Sequence, residues 1–148
     1  MHIPPPLIAF AIGAAMKAAV WTNPAWTWET PARFPIAVGL VIAGAGIAAV
    51  GVLQFRRNRT TINPLQPDKA STLVTDGIYR VTRNPMYLGL LCFLLAWGIW
   101  LGSPLAILIA LVFIPILNRS QILPEERALR QRFGEKFSAY VATTRRWL

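Results

Sequence analysis

The sequence has very few of the residues that soluble enzymes most often use for chemistry. Among its 148 residues there is one cysteine, Cys92, and one histidine, His2. A lone cysteine inside an apolar run excludes a disulfide framework and a cysteine-based metal site. A histidine next to the first residue is poorly placed to act as a general base or a metal ligand. We therefore expect no metal site and no histidine-based catalysis.

Charged residues are also scarce. They make up 14% of the chain, whereas hydrophobic residues make up 55%. A soluble domain normally carries about a quarter charged residues, so the deficit indicates that lipid surrounds much of the chain. The charges that are present give a net charge of +9. Because the cations flank apolar runs, they predict contact with anionic lipid headgroups and argue against binding of nucleic acid.

Four apolar segments predict an all-α integral membrane protein that forms a single domain over residues 1–148. They are residues 7–21, 34–55, 86–101 and 104–117. The second is long enough to span a bilayer, which takes about 20 residues, whereas full spanning by the first, which contains Lys17, stays open. The last two flank the tripeptide Gly102-Ser103-Pro104, which predicts a tight turn and a helical hairpin.

The remaining segments complete this organisation. Two spans within residues 1–55 precede a connector at 56–84, and the hairpin at 85–118 precedes a C-terminal helix at 119–148. The C-terminal segment is amphipathic, with Pro124 in its first turn and Gly134 at a predicted bend. Its apolar residues recur at helical spacing, and they are Leu129, Phe133, Phe137, Tyr140 and Val141. This helix could lie on the membrane surface or over the helical bundle.

The distribution of basic residues predicts the orientation. Thirteen of the 15 lysines and arginines fall within residues 56–83 and 119–146. Both segments, and with them both termini, are therefore expected on the cytoplasmic side of the membrane, the inner membrane in a bacterium. Small residues in the second span would let helices pack closely and would permit a homodimer, although a glycine-lined cofactor contact is the alternative. They are Gly39, Ala43, Gly44 and Ala48.

Two polar clusters stand where membrane helices begin or end. One lies in residues 77–89, which read GIYRVTRNPMYLG, and the other is the pair Glu125-Glu126. Each has a plain structural explanation, because Asn84-Pro85 suits a helix start and acidic residues suit the first turn of a helix. The predicted hairpin, however, brings both clusters to the same membrane face. Arginines that bind a carboxylate and glutamates that bind an ammonium or ribose hydroxyls would suit a zwitterionic cofactor bearing a sugar, and the chain contains no phosphate-binding loop or dinucleotide fingerprint.

The order of three motifs resembles the isoprenylcysteine carboxyl methyltransferase and phospholipid methyltransferase group of integral-membrane enzymes. The motifs are TTINPLQP, LVTDGIYRVTRNPMYLG and EERALRQRFGEKFSAYVATTRRWL, within residues 60–148. The resemblance implies a helical membrane enzyme that uses S-adenosylmethionine to methylate a lipophilic acceptor. It also implies a cofactor site made of Tyr79, Arg83, Asn84, Pro85, Tyr87, Gly89, Glu125 and Glu126.

The acceptor and the rival functions stay open. Prenylcysteine enzymes typically have histidine where this chain has Asn84, so a phospholipid amine, a prenylcysteine carboxylate, a thiol or another lipid could accept the methyl group. An amine must first lose a proton, and Glu126 and Tyr87 are the candidate catalytic residues for that step. The alternatives are a membrane NADPH-dependent reductase of the sterol reductase type and a non-enzymatic membrane module.

Overall fold

The part of the chain that the structure describes consists of helices joined by short loops and contains no strand. This computed structural model describes residues 3–58 and 72–148. The α-helices are α1 (Pro5–Thr22), α2 (Arg33–Arg57), α3 (Pro85–Leu101), α4 (Pro104–Leu111), α5 (Phe113–Leu117), α6 (Leu123–Phe133) and α7 (Glu135–Thr143). Short 3₁₀ helices lie at Pro24–Trp26 and Gly77–Arg80, and a π-helical turn at Asn118–Ile122 joins α5 to α6. The predicted all-α fold is confirmed, while much of the predicted connector, with its TTINPLQP motif, lies outside the described residues.

Several of these helices are long and apolar enough to cross a bilayer. By length and composition they are α1, α2 and the helical run Pro104–Phe133, whereas α3 is shorter, at Pro85–Leu101. The first predicted segment thus qualifies as a span despite its lysine. An integral membrane protein with three to four spanning helices is therefore confirmed.

Helices α2 and α3 approach each other closely because glycines face each other between them. A Cβ atom placed on Gly44 would lie 2.9 Å from the carbonyl oxygen of Gly89 and 2.8 Å from the Cβ of Cys92. A Cβ atom on Gly89 would in turn lie 2.7 Å from the carbonyl oxygen of Gly44. Of the small residues predicted to allow close packing, Gly44 and Ala48 do so within the chain and hold the start of α3 against α2, whereas a Cβ atom on Gly39 would meet no described atom within 4 Å.

The turn between α3 and α4 closes the hairpin. Gly102 ends α3 with a φ of 63°, in the left-handed region that favours glycine. The Ser103 hydroxyl accepts a hydrogen bond from the Ala106 amide at 3.4 Å and caps α4. The Trp28 amide donates to the Gly102 carbonyl at 2.7 Å, so the loop between α1 and α2 lies at the same end of the bundle. The predicted tight turn is confirmed.

The second arm of the hairpin extends further than the sequence predicts. A boundary is expected at residue 118, but the helical run continues from Pro104 to Phe133 and ends only at Gly134, which has a φ of 53°. Pro124 lacks an amide hydrogen and crowds the carbonyl four residues earlier, which would break a regular α-helix. The π turn Asn118–Ile122 loosens the backbone at that point and lets the helix continue.

Two apolar clusters stabilise the bundle. The larger joins α1, α3, α4 and α5 around Met16, Phe113 and Leu117, which are all fully buried. The smaller joins α7 to the 3₁₀ helix Gly77–Arg80, with Phe137 packed near Tyr79. The apolar face of the C-terminal segment therefore lies over the connector, and it places residues 77–84 beside α7.

Candidate active site

The residues that precede α3 are held by main-chain contacts with residues 144–147, here called the 144–147 segment. The Arg83 amide donates to the Arg145 carbonyl at 3.0 Å, and the Thr82 hydroxyl donates to the Arg146 carbonyl at 3.2 Å. Asn84 occupies the N-cap position of α3 as predicted, but its side chain does not cap the helix. Its amide instead donates to the Arg146 carbonyl at 2.9 Å.

Glu126 forms the centre of an ion-pair network. Its Oε1 atom accepts hydrogen bonds from Arg83 Nη2 at 2.9 Å and from Arg146 Nε at 2.8 Å. Its Oε2 atom accepts from Arg146 Nη2 at 2.8 Å, so Arg146 binds the carboxylate through two parallel hydrogen bonds. These hydrogen bonds raise the pKa of the Arg146 guanidinium. The predicted proximity of Arg83 and Glu126 is thus found, and Arg146 joins them as a second cationic partner of the carboxylate.

The other edge of the Arg83 guanidinium faces the end of α7. Its Nη1 atom donates to the carbonyl oxygens of Val141, at 3.3 Å, and of Thr144. Carbonyls at a helix C-terminus carry partial negative charge and lack helical partners, so a cation stabilises them. The Nε atom of Arg83 is buried and has no hydrogen-bond partner among the described residues. Arg83 therefore connects α6, α7 and α3 while one buried donor remains unsatisfied.

Glu125 has different surroundings from Glu126. The Tyr87 hydroxyl donates to Glu125 Oε1 at 2.5 Å, a short distance typical of a hydrogen bond to a carboxylate. Tyr87 itself is buried, at 6% exposure. Within residues 3–58 and 72–148, no lysine or arginine forms a salt bridge with Glu125. Two adjacent carboxylates therefore differ, because one is neutralised by two arginines and the other only accepts from a phenol.

Tyr79 contributes a second buried phenol near this pair. Its side chain is 4% exposed and stacks edge-on against Phe55, with 5.2 Å between ring centroids. The Tyr79 carbonyl accepts a hydrogen bond from the Tyr140 hydroxyl at 2.6 Å, which fixes the backbone. The Tyr79 hydroxyl, however, is buried without a partner in the described part of the chain, and burial raises its pKa. A buried unpaired hydroxyl is costly, so it is a candidate contact for a bound ligand.

Pro85 and Gly89 lie against α2. A Cβ atom on Gly51 would lie 3.0 Å from the Cγ of Pro85, and one on Gly89 would lie 3.0 Å from the Cβ of Ala48. Both residues therefore fix the start of α3, and with it the position of Tyr87. A direct contact of Pro85 or Gly89 with a cofactor stays a prediction.

Sequence reasoning missed the role of the 144–147 segment. From the sequence, Arg146 is only one of many basic residues, yet it makes the bidentate contact with Glu126. Trp147 anchors the same segment, because its indole donates to Asn118 Oδ1 at 3.1 Å and packs edge-on against Phe113. These partners lie 20 or more residues away in sequence, so no local pattern reveals them.

The arrangement combines two chemical environments beside the start of α3. One is the charge network of Arg83, Glu126 and Arg146, which can orient a polar ligand. The other is the group of Tyr79, Tyr87 and Glu125, which can accept a proton or attract a cation. No group of metal-ligating residues occurs among the residues that the structure describes.

Comparisons with known proteins cover most of the chain. The family model described as phospholipid methyltransferase matches residues 32–136. An uncharacterized protein of Haemophilus influenzae is 48% identical over 63 residues, which cover 43% of this chain and 100% of that protein.

Two further relatives are named methyltransferases. A probable protein-S-isoprenylcysteine O-methyltransferase of Oryza sativa subsp. japonica is 32% identical over 104 residues, covering 68% of this chain and 53% of that protein. The protein-S-isoprenylcysteine O-methyltransferase of Schizosaccharomyces pombe is 27% identical over 104 residues, covering 70% of this chain and 44% of that protein. The chain thus spans about half the length of these relatives.

Proposed function

This chain belongs to the phospholipid methyltransferase family, and from that membership we propose that it transfers the methyl group of S-adenosylmethionine to a lipophilic acceptor at the cytoplasmic face of the membrane. The resemblance noted in the sequence motifs is confirmed at the level of the family. The cofactor, the membrane face and the acceptor are proposals that rest on the site.

The observation that carries this proposal is the direct contact between the two predicted polar clusters. Tyr87 hydrogen-bonds Glu125 at 2.5 Å, and Arg83 pairs with Glu126 at 2.9 Å. In each contact the two residues are about forty positions apart in the sequence. The apolar helical hairpin lies between them along the chain. Packing alone does not require two carboxylates, two arginines and two phenols at one point, since such groups are costly to bury.

The residues present fit a zwitterionic cofactor with ribose hydroxyls. The Tyr79 hydroxyl and Arg83 Nε, which have no partner among the described residues, supply donors, and Asn84 follows Arg83 in the sequence. Glu126 accepts three hydrogen bonds from arginines, whereas a carboxylate has about four acceptor sites, so it can receive one more donor. These four residues would hold the cofactor, with Tyr87 and Glu125 completing the set. Bound S-adenosylmethionine supplies an already activated methyl group.

The chain's own contribution to the reaction is then positioning, exclusion of water and proton transfer. Orientation of two reactants can lower a barrier by several kcal/mol, up to about 7–11 kcal/mol in favourable cases. The apolar wall around Tyr79 and Tyr87, both buried, excludes water from the reacting groups. Tyr87 holds Glu125 in one orientation through its hydroxyl.

The charges at the site favour an amine as the acceptor. Glu125 has no cationic partner among the described residues, so it would attract a protonated amine and repel an anionic carboxylate. Glu125 can also take the proton that an amine must lose. This role suits Glu125 better than Glu126, the residue expected from sequence, because hydrogen bonds from Arg83 and Arg146 already occupy the Glu126 carboxylate. Tyr87 stays in the proposed catalytic set as the group that orients Glu125.

Calorimetric titration with S-adenosylhomocysteine tests the cofactor proposal. The variant Tyr79→Phe removes a hydroxyl that has no partner among the described residues, so the protein should stay folded. We expect its dissociation constant to rise about tenfold, the effect of losing about 1.4 kcal/mol. Arg57→Ala, an exposed position at the end of α2, serves as the control and should bind as the native protein does.

The same titration separates the rival functions. Saturable binding of NADPH, with none of S-adenosylhomocysteine, would favour a reductase. Binding of neither by folded protein would contradict an enzyme of either kind. Once the cofactor binds, incubation with radiolabelled S-adenosylmethionine and either an aminophospholipid or a prenylated cysteine distinguishes the acceptors. Label in the prenylated cysteine alone would contradict the assignment of an amine.

A further inference from the structure

A second polar site lies beside the apolar cluster that joins α7 to the connector, and Tyr140 belongs to both. It is a groove of about 510 Å³ between the 3₁₀ helix Gly77–Arg80 and α7. We call it the basic groove and define it by Thr75, Arg80, Lys136, Tyr140, Thr143 and Thr144. None of the residues predicted to form the cofactor site lines this groove. The basic groove is therefore a separate feature.

The basic groove carries positive charge without a compensating acid. Arg80 and Lys136 come from different elements, are both exposed, and line the same groove. Among the described residues neither takes part in a salt bridge, and no acidic residue of that part of the chain lines the groove. Two cations that converge from separate elements repel each other, so their placement is most stable when an anion lies between them.

Tyr140 and Thr144 form one wall of the basic groove, and hydrogen bonds within the chain hold this wall in place. Tyr140 and Thr144 are buried, at 8% and 6% exposure. The Tyr140 hydroxyl donates to the Tyr79 carbonyl at 2.6 Å, and the Thr144 amide donates to the Tyr140 carbonyl at 3.0 Å. Because these contacts within the chain hold the wall, a ligand would meet a preformed surface and would lose little binding energy to reorganisation.

The chemistry of the groove suits a phosphate group. An arginine presents a planar fork of donors to phosphate oxygens, and a lysine adds a compact positive charge. The exposed Thr75 hydroxyl can supply a further hydrogen bond. Arg80 lies five positions before Pro85, where the apolar helix α3 begins, so phosphates at the membrane surface and phosphates in solution can both reach it.

We propose that the basic groove binds a phosphate group through Arg80 and Lys136, separately from the methyl-transfer site. The phosphate belongs either to a membrane lipid headgroup or to a small soluble anion. This site goes beyond the proposed methyl transfer and does not depend on it. The backbone of Thr144 connects the two sites, since its carbonyl accepts from Arg83 on the other side.

The test compares the full chain with the double variant Arg80→Gln/Lys136→Gln in detergent. Thermal unfolding is followed with added inorganic phosphate, with dihexanoyl phosphatidic acid, and with dihexanoylglycerol, which lacks the phosphate. A ligand that binds only the folded protein raises the melting temperature. The double variant Arg127→Gln/Arg130→Gln, at exposed positions of α6, makes the same change in net charge and is the matched control.

We expect phosphatidic acid, and not dihexanoylglycerol, to raise the melting temperature of the native protein and of the control. The Arg80→Gln/Lys136→Gln variant should lose at least tenfold in affinity while its melting temperature without ligand and its affinity for S-adenosylhomocysteine stay unchanged. A shift with inorganic phosphate as well identifies a soluble anion as a ligand, and its absence identifies a lipid headgroup. Equal shifts in both variants, no shift with either phosphate, or competition by S-adenosylhomocysteine would each overturn the proposal.

Discussion

At the scale of single residues, the main feature is the difference between two adjacent carboxylates. Glu126 binds two arginines, whereas Glu125 accepts a hydrogen bond from Tyr87. Neighbouring residues on a helix point in directions about 100° apart, since 3.6 residues make one turn. Glu125 therefore faces α3 while Glu126 faces the residues before it and the 144–147 segment. One turn of helix thus supplies one carboxylate that binds arginines and a second carboxylate that is proposed to take part in the reaction.

The first prediction concerns Tyr87. The variant Tyr87→Phe keeps the ring that packs in the core and removes the hydroxyl that orients Glu125. A hydrogen bond to a charged group contributes about 1.5–3 kcal/mol, so kcat for methyl transfer should fall about tenfold to a hundredfold. The control Ser138→Ala also loses one hydroxyl, but at an exposed position of α7 outside the proposed site, and should keep its kcat. An unchanged kcat in Tyr87→Phe would show that this contact has no role in the reaction.

The second prediction concerns the ion-pair network. The variant Glu126→Gln leaves the mostly buried Arg83 side chain, at 10% exposure, without its anion. Breaking a fully buried pair costs about 3–5 kcal/mol, and because Arg146 is 36% exposed, we expect a loss of about 2 kcal/mol in the free energy of unfolding.

Urea unfolding in detergent measures this loss, with Glu135→Gln at an exposed position as the control. A double-mutant cycle with Arg146→Gln isolates the contact itself. Additive effects of the two substitutions would contradict the network.

At the scale of elements, the positions of the helices depend on glycine and proline. Gly44 and Gly89 let α2 and α3 touch, whereas a Cβ atom placed on Gly46 of α2 would meet no described atom within 4 Å. Pro85 begins α3 and Pro104 begins α4, as expected for a residue that suits the first turn. The backbone contact between α2 and α3 therefore places the first turn of α3, and so Tyr87, relative to the rest of the site.

The third prediction uses these glycines as a matched pair. Gly44→Ala would place a methyl group 2.8 Å from the Cβ of Cys92 and 2.9 Å from the Gly89 carbonyl. Overpacking of this kind costs about 1–3 kcal/mol. Gly46→Ala meets open space and gains helix propensity, so it should stabilise α2 by about 0.5–1 kcal/mol.

Thermal unfolding of the two variants in the same detergent measures both stability changes. Gly44→Ala should melt below the native protein and Gly46→Ala at or above it. Equal melting temperatures would mean that α2 and α3 do not approach as closely as described.

The sequence predicts the helices far better than the contacts between distant residues. Apolar runs and the Gly102 turn identify α1 to α4 because the signals are local. The continuation from α5 into α6 was missed because a π turn absorbs Pro124, and no simple period marks such a turn. The contact of Arg146 with Glu126 was missed because it depends on where α7 ends and the chain reverses. For the proposed site, motif resemblance predicts Arg83 and Glu126, but only the fold distinguishes the surroundings of Glu126 from those of Glu125.

At the scale of the whole molecule, the two ends of the bundle differ in composition. The Gly102 turn and the loop that contains Trp28 lie together at one end. The proposed site and the basic groove lie at the start of α3, which at 1.5 Å per residue is about 25 Å from that turn. Among the described residues, Arg80, Arg83 and Arg146 lie at this second end, whereas Arg33 lies beside the Gly102 turn at the first. A soluble cofactor and a lipid acceptor could meet there, the former from the aqueous side and the latter from the bilayer.

The last prediction tests which end faces the cytoplasm. In a Cys92→Ala background, which removes the only cysteine, single cysteines are introduced as Ala25→Cys and Ser138→Cys. Both positions are exposed and lie at opposite ends of the bundle, in the loop before α2 and on α7. If basic segments remain cytoplasmic, a membrane-impermeant maleimide added to intact spheroplasts should label position 25, and position 138 only after the membrane is permeabilised. The reverse pattern would put the proposed methyl-transfer site outside the cell, away from cytoplasmic S-adenosylmethionine, and would contradict the proposed function together with the orientation.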